Sequence, residues 1–271
     1  MSLLAIFFGE IGLADLVRTL PGVLGRTWLA GVVGTIAFVL GSFGIGLPWW
    51  LSPVAVAALI AWLFATREKE GRHPSAYFAV GGLAVAVVAV VAWAPPLPTP
   101  AGPAVDWYLS LPYAALDAID FTTFALTIAG ALFLLETSNV IVRLALRTER
   151  SATTPVAANT PPSVADTGPF SRWWRRPRLP LPSDPAPTFT ELKGGRFIGP
   201  LERLFLLALI LSGAFTAMAA LVAAKGIIRF PEISKDAVGG SKAEYFLVGS
   251  FASWALVLLV ALLVALGASR T

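Results

Sequence analysis

The chain has 271 residues, of which 56% are hydrophobic and only 13% charged, about half the charged share of a typical soluble domain. Such a composition cannot cover a water-exposed surface, and the formal net charge of +4, from 20 Lys and Arg against 16 Asp and Glu, is concentrated so that long apolar runs carry none of it. The lack of cysteine excludes disulfides and thiolate metal sites, the single histidine, His73, excludes an imidazole cluster within one chain, and no cofactor is expected.

Residues 1–26 lack a basic leader region and an Ala-x-Ala cleavage pattern, so they read as a retained segment and not as a signal peptide. Ile6, Leu13, Leu16, Val17 and Leu20 share one arc of a helical wheel while Glu10, Asp15 and Arg18 lie elsewhere, as in an interfacial helix; a packed leading helix is the plainer reading.

Thr27 to Thr66 is a 40-residue run without a formal charge, about 60 Å as helix, or two crossings of a core roughly 30 Å thick. Gly44, Gly46, Pro48, Trp49, Trp50 and Pro53 mark the reversal, which predicts helices at 27–47 and 52–66; the second is short enough that a re-entrant hairpin is the alternative. Further spans are predicted at Ala76 to Trp93, Phe121 to Val142, Leu201 to Ala224 and Tyr245 to Leu266. The expected fold is all-α: a polytopic transmembrane bundle of about six spans, with a four-span region at 27–142 and a two-helix membrane hairpin at 198–271.

Between them, 143–197 reads as a disordered basic cytoplasmic linker. From Arg143 to Arg196 there are nine basic and four acidic residues, net +5, while the rest of the chain has eleven against twelve, net −1. The Pro, Ala, Ser and Thr richness of 151–169 and 177–189 opposes regular structure. Within the linker, Arg172, Trp173, Trp174, Arg175, Arg176 and Arg178 interleave cations with indoles, a composition suited to anionic lipid headgroups at 170–178. The patch is short and lies beside a membrane, so nucleic acid is not the expected partner; Pro177 to Pro182 offers a proline-rich ligand for a protein partner.

Six spans place sixteen Lys and Arg on the side of the N-terminus, the 67–75 loop, the 143–200 segment with Arg203, and the C-terminus, and four, Lys225, Arg229, Lys235 and Lys242, opposite. The positive-inside rule then predicts a multi-pass protein of a cytoplasmic membrane with both termini cytoplasmic and an outer belt of Trp49, Trp50, Trp93 and Trp107.

Glu136 is the one acid well inside a predicted span, with Asn139 and Arg143 on its face and Glu202 and Arg203 at the mouth of the next span available for pairing. On the far side Lys225 and Arg229, one turn apart, face Glu232 and Glu244 across a short connection, as in a clasped hairpin. Small residues, Gly213 with Ala217, Ala220 with Ala224 and Gly249 with Ser253, permit close helix approach.

Gly194 to Arg203, Ala223 to Phe230, and Ala243 to Gly249 with Ser253 carry Gly-Arg, Leu-Glu-Arg, Ala-Lys, Arg-Phe and Ala-Glu-Tyr elements. About a quarter of the chain, 194–267, thereby resembles the C-terminal hairpin of a bacterial integral-membrane family of unknown function. Members of that family often begin with a span carrying His and Asp, which the first span here lacks; the resemblance implies a bacterial membrane module without a mechanism.

Nucleophile elbows, phosphate loops, zinc ligands and acid pairs with a base are all missing from the sequence, so an enzyme is not expected. A non-enzymatic scaffold or accessory subunit is the leading reading. The alternatives are an oligomeric channel or small transporter component using Glu136, and a membrane-embedded hydrolase using Glu202, Lys225 or Glu244; a protein partner or a second copy stays open.

Overall fold

Lipid offers no hydrogen bonds to peptide groups, so apolar runs of this length must satisfy their own amides and carbonyls by forming helices. The computed structural model describes residues 1–20, 27–67, 75–93, 99–114, 116–152, 195–234 and 241–269, and among them every regular element is helical. These are α1 (Ser2–Arg18), α2 (Thr27–Gly44), α3 (Ser52–Ala65), α4 (Ser75–Trp93), α5 (Pro103–Leu109), α6 (Phe121–Leu135), α7 (Thr137–Ala152), α8 (Gly195–Leu211), α9 (Phe215–Ser234) and α10 (Ser241–Ala268), with a 3-10 turn at Trp49–Leu51.

Three of them, α2, α4 and α10, are by length and composition able to cross a membrane, with mean hydropathy of 1.6, 2.2 and 2.5. α6 and α7 pass the same test only as a pair, bent by 45° at Glu136, and count as a fourth span if the pair is one broken crossing and not a re-entrant loop. α3 is equally apolar but has 14 residues, about 21 Å of helix, short of a roughly 30 Å core. Of the six predicted spans the structure therefore carries three or four of full length.

The centre of the bundle is α1. Gly12 allows it to lie directly against α6: a Cβ there would fall 2.9 Å from the backbone of Leu132 and Phe133, so any side chain would force the helices apart. Phe8 stacks on Phe133 with ring centroids 4.7 Å apart, and Gly9 meets Ala129, so the two helices run parallel. On its other flank Ala14 meets Gly34 and Ile6 meets Gly41, which makes α2 antiparallel. The face that packs is thus Leu4, Phe8, Ile11, Gly12 and Asp15; the predicted arc of Ile6, Leu13, Leu16 and Val17 is only half-buried, and Glu10 and Asp15 point inward. The packed leading helix, and not a helix with its charges turned to solvent, describes α1.

α10 closes the bundle antiparallel to α6, with Val260 against Gly130 and Leu126 near Gly267. A single span from Leu201 to Ala224 is not found. Glu202 and Lys225 would be about 35 Å apart along one helix, yet their side chains meet at 2.7 Å, so α8 and α9 fold back on each other. The reversal is a Schellman cap: Gly213 adopts φ +70° and donates its N–H to the Ile210 carbonyl at 3.1 Å, while the Ala214 N–H reaches the Leu209 carbonyl at 2.9 Å. Residues 143–152, predicted to belong to the linker, continue α7, and 195–197 open α8; 153–194, including the predicted disorder, lie outside the described residues.

These contacts put the starts of α1 and α6 and the end of α10 at one end of the bundle, and the end of α7 and the start of α8 at the other. Among the described residues, the helices that carry the chain termini and those that flank the linker therefore point to opposite ends of the bundle, because α8 and α9 reverse at Gly213 and α1 runs parallel to α6. Trp50 and Trp107 are exposed at the termini's end; the side chains of Trp49 and Trp93 lie outside the described residues.

The cysteine-free sequence makes this directly measurable. Single Ser2→Cys and Ser269→Cys chains are expected to react with a membrane-impermeant maleimide from one side of sealed vesicles, and Ser163→Cys from the other. Labelling of Ser2→Cys and Ser163→Cys from the same side contradicts the arrangement.

Candidate functional site

The break between α6 and α7 creates the site. α6 starts on Asp120, whose carboxylate accepts from the Thr122 N–H at 2.7 Å, and stops at Glu136, where φ of −122° leaves helical geometry. A break exposes carbonyls of the preceding turn, and an unpaired peptide group away from water costs several kcal/mol. Side chains cover them here. The Leu134 carbonyl accepts from the Ser138 hydroxyl at 2.6 Å and from Arg203 Nη1 at 3.2 Å, and the Leu135 carbonyl accepts from Asn139 Nδ2 at 3.1 Å.

Arg203 comes from α8 and is almost wholly buried, at 4% exposure. Its fork also donates from Nη1 to Asn139 Oδ1 at 2.7 Å and from Nε to Ser253 Oγ of α10 at 2.7 Å, so one guanidinium joins α6, α7, α8 and α10. Glu136 accepts from Asn139 Nδ2 at 3.2 Å and lies within electrostatic reach of Arg203.

Two further groups occupy the same level. On one flank, Asp15 of α1 pairs with Arg18 at 2.8 Å and accepts from Trp62 Nε1 of α3 at 3.1 Å, while Arg18 Nη1 donates to the Thr66 hydroxyl at 2.9 Å. Thr137 and Glu136 lie beside the Asp15 carboxylate and link this flank to the Arg203 node. On the other flank, Glu202 pairs with Lys225 at 2.7 Å and accepts from Trp254 Nε1 at 3.2 Å; the Lys225 ammonium sits 5.6 Å from the Trp254 ring centroid. The result is a polar layer across the bundle, roughly 24 Å along the helices from Phe121.

Of the residues singled out by sequence, Glu136, Glu202, Arg203 and Lys225 converge in this layer. Arg143 stands a turn beyond, exposed, with its Nε donating to the Asn139 carbonyl at 3.2 Å. Lys225 is clasped to Glu202 of α8, and Arg229 and Glu244 lie on exposed stretches of α9 and α10 outside the layer. The Glu232 side chain and the patch Arg172, Trp173, Trp174, Arg175, Arg176 and Arg178 lie outside the described residues.

Sequence reasoning missed the inward turn of Asp15 and Glu10. Gly9 and Gly12 carried the signal for Asp15, since glycines that admit a neighbouring backbone mark the packed face, and Asp15 is three residues beyond Gly12 on that face. Glu10 differs from the other acids: it is 1% exposed, and neither carboxylate oxygen meets a hydrogen-bond donor among the described residues. No group of three His, Cys, Asp or Glu poised to hold a metal occurs among the described residues. Compared with protein families, with curated proteins and with solved structures, the chain matches none.

Chemically, the layer is a set of paired donors and acceptors in which, among the described residues, the buried Thr137 hydroxyl alone of the layer's side chains named above has no hydrogen-bond partner. Arg203→Ala leaves Asn139, Ser253 and the Leu134 carbonyl without their donor and is expected to cost about 3 kcal/mol; Arg203→Lys recovers little, because an ammonium cannot reproduce the fork. Thermal unfolding in mild detergent, read by far-ultraviolet circular dichroism, checks both, and a wild-type midpoint for Arg203→Ala counts against the node. The two acids of α1 are expected to diverge in the same assay: Asp15→Ala lowers stability by about 2 kcal/mol, whereas Glu10→Met holds or raises it, because only Asp15 has partners to lose. Equal losses for the two variants contradict that distinction.

Proposed function

We propose that this chain is a non-enzymatic scaffold or accessory subunit of a bacterial cytoplasmic membrane, in which the polar layer locks the helices and the 143–197 segment presents the recruiting surface. The observation that carries this reading is the closure of the layer on itself: Arg203 has side-chain or carbonyl acceptors on α6, α7 and α10, and Glu202 is shared by Lys225 and Trp254. A conduction path needs polar groups that exchange partners with a permeating ion, and an active site needs a reactive group held beside its base. Glu136, the residue of the channel alternative, is engaged by Asn139 beside Arg203, which favours the structural role.

Charge supports an orientation. Of the twenty Lys and Arg, Arg203 and Lys225 lie in the polar layer, Arg270 follows α10, and the other seventeen belong to helix segments or connections toward the linker's end of the bundle. The positive-inside tendency then assigns the linker's end to the cytoplasm and both termini to the outer side, a sharper division than the sixteen to four expected from six regular crossings. The resemblance to a bacterial membrane module agrees with the location, and its Leu-Glu-Arg and Ala-Lys elements supply Glu202, Arg203 and Lys225 of the layer. The arginine and tryptophan patch at 170–178 is suited to anionic headgroups, with a protein partner or a second copy engaged through the remainder of the linker.

Purification from mild detergent of the intact chain and of a chain lacking 153–194 tests the proposal. Stable partners that co-purify with the first and are lost from the second are expected, with the same loss, or displacement from the membrane surface, when Arg172, Arg175, Arg176 and Arg178 are changed to Ala. A bare particle that conducts ions in liposomes and stops on Glu136→Gln overturns the scaffold in favour of a channel.

A further inference from the structure

α2 and α3 cross with a furrow of about 830 Å³ on their outer side. Its α2 wall is Trp28, Val32 and Ile36, its α3 wall Ile60 and Phe64, and Gly31 keeps the floor low against Leu63. The spacing places each set on one helix face, and these large side chains are 47–62% exposed, so the furrow opens to the surroundings of the bundle.

Polarity along the furrow is one-sided. Arg67 and Thr27 close the end nearest the linker, and the opposite end at Ile36 and Ile60 is apolar. Arg67 forms no ion pair or hydrogen bond among the described residues, in contrast to Arg18 nearby, which is taken up by Asp15 and Thr66. From Thr27 to Ile36 the furrow descends about 13 Å, close to the roughly 15 Å depth of one leaflet of the hydrocarbon core. An apolar trough one leaflet deep, with a cation at headgroup height and an indole beside it, complements a molecule with one acyl chain per trough and a negative head.

We propose that this furrow is a specific site for an anionic diacyl phospholipid of the linker-side leaflet, with the phosphate on Arg67 and one acyl chain along Gly31, Thr35, Ile36 and Phe64. This site is separate in sequence from the 170–178 patch. It also does not depend on the scaffold reading, since α2 and α3 lie away from the Arg203 node.

Native mass spectrometry of the full chain, titrated in detergent with phosphatidylglycerol and separately with phosphatidylcholine, tests the site. The titrations are run also on the chain with Arg172, Arg175, Arg176 and Arg178 changed to Ala, so that lipid held by the patch is removed from the reading. In both backgrounds Arg67→Gln is expected to weaken phosphatidylglycerol binding about fivefold and to leave phosphatidylcholine unchanged, from roughly 1 kcal/mol per basic contact. Gly31→Leu, which raises the floor, is expected to weaken both lipids. Arg67 is exposed, so its loss is not expected to unfold the chain, and circular dichroism confirms that. Undiminished preference for phosphatidylglycerol after Arg67→Gln in the four-alanine chain overturns the assignment, as does a Gly31→Leu chain that folds and binds both lipids as before.

Discussion

A carbonyl without a donor in lipid is the constraint on which this architecture turns. α6 and α7 cannot be one straight helix and still present Glu136, Ser138 and Asn139 to different neighbours, so the chain bends by 45° and exposes the carbonyls of Leu134 and Leu135. Repairing that break needs donors from outside the local turn, and the fork of Arg203 serves because it meets a carbonyl, an amide oxygen and a hydroxyl together. Arg203 in turn can be buried because its Nε and Nη1 end on acceptors from three other helices. The bend and the buried cation are thus two halves of one solution, and neither is stable alone.

The same logic fixes α8 and α9. Burying Arg203 holds α8 at the level of the bend, and the clasp of Glu202 on Lys225 brings the returning helix to that height. A hairpin anchored there turns about 12 Å deeper, where its own carbonyls need partners, and the Schellman cap at Gly213 supplies them from within the turn. Adjacent residues therefore serve opposite faces of α8: Arg203 ties it inward to α6, α7 and α10, and Glu202 ties it sideways to α9 and Trp254.

Composition and apolar runs made the class of the fold legible, since a helix is the only way for 27–44, 75–93 or 243–268 to satisfy its backbone in lipid. Glu136 with Asn139 was legible for a local reason, because residues three apart share a helix face. What hydropathy could not reveal was direction. A run from 201 to 224 is equally apolar as one crossing or as two arms of a hairpin, and only the distant pairing of Glu202 with Lys225 separates them. The face of α1 was misjudged for a related reason: a wheel ranks side chains by hydrophobicity, whereas Gly12 ranks faces by how closely another backbone can come, and close approach prevailed.

The asymmetry along the bundle axis follows from these choices. Buried charges find partners where helices from both halves of the chain reach one another, at the level of Asp15, Glu136, Arg203 and Lys225, whereas Glu10, more than a turn nearer the termini, has no hydrogen-bond donor among the described residues. Nearer the termini, α1, α6 and α10 meet through Phe8, Leu126, Phe133, Val260 and Leu263, a contact surface without a charge. An apolar half joined to a polar layer gives the molecule a rigid cross-brace close to the face from which the basic linker departs. A segment leaving such a brace starts from a fixed position on the bundle, which is the physical requirement of the tether proposed above.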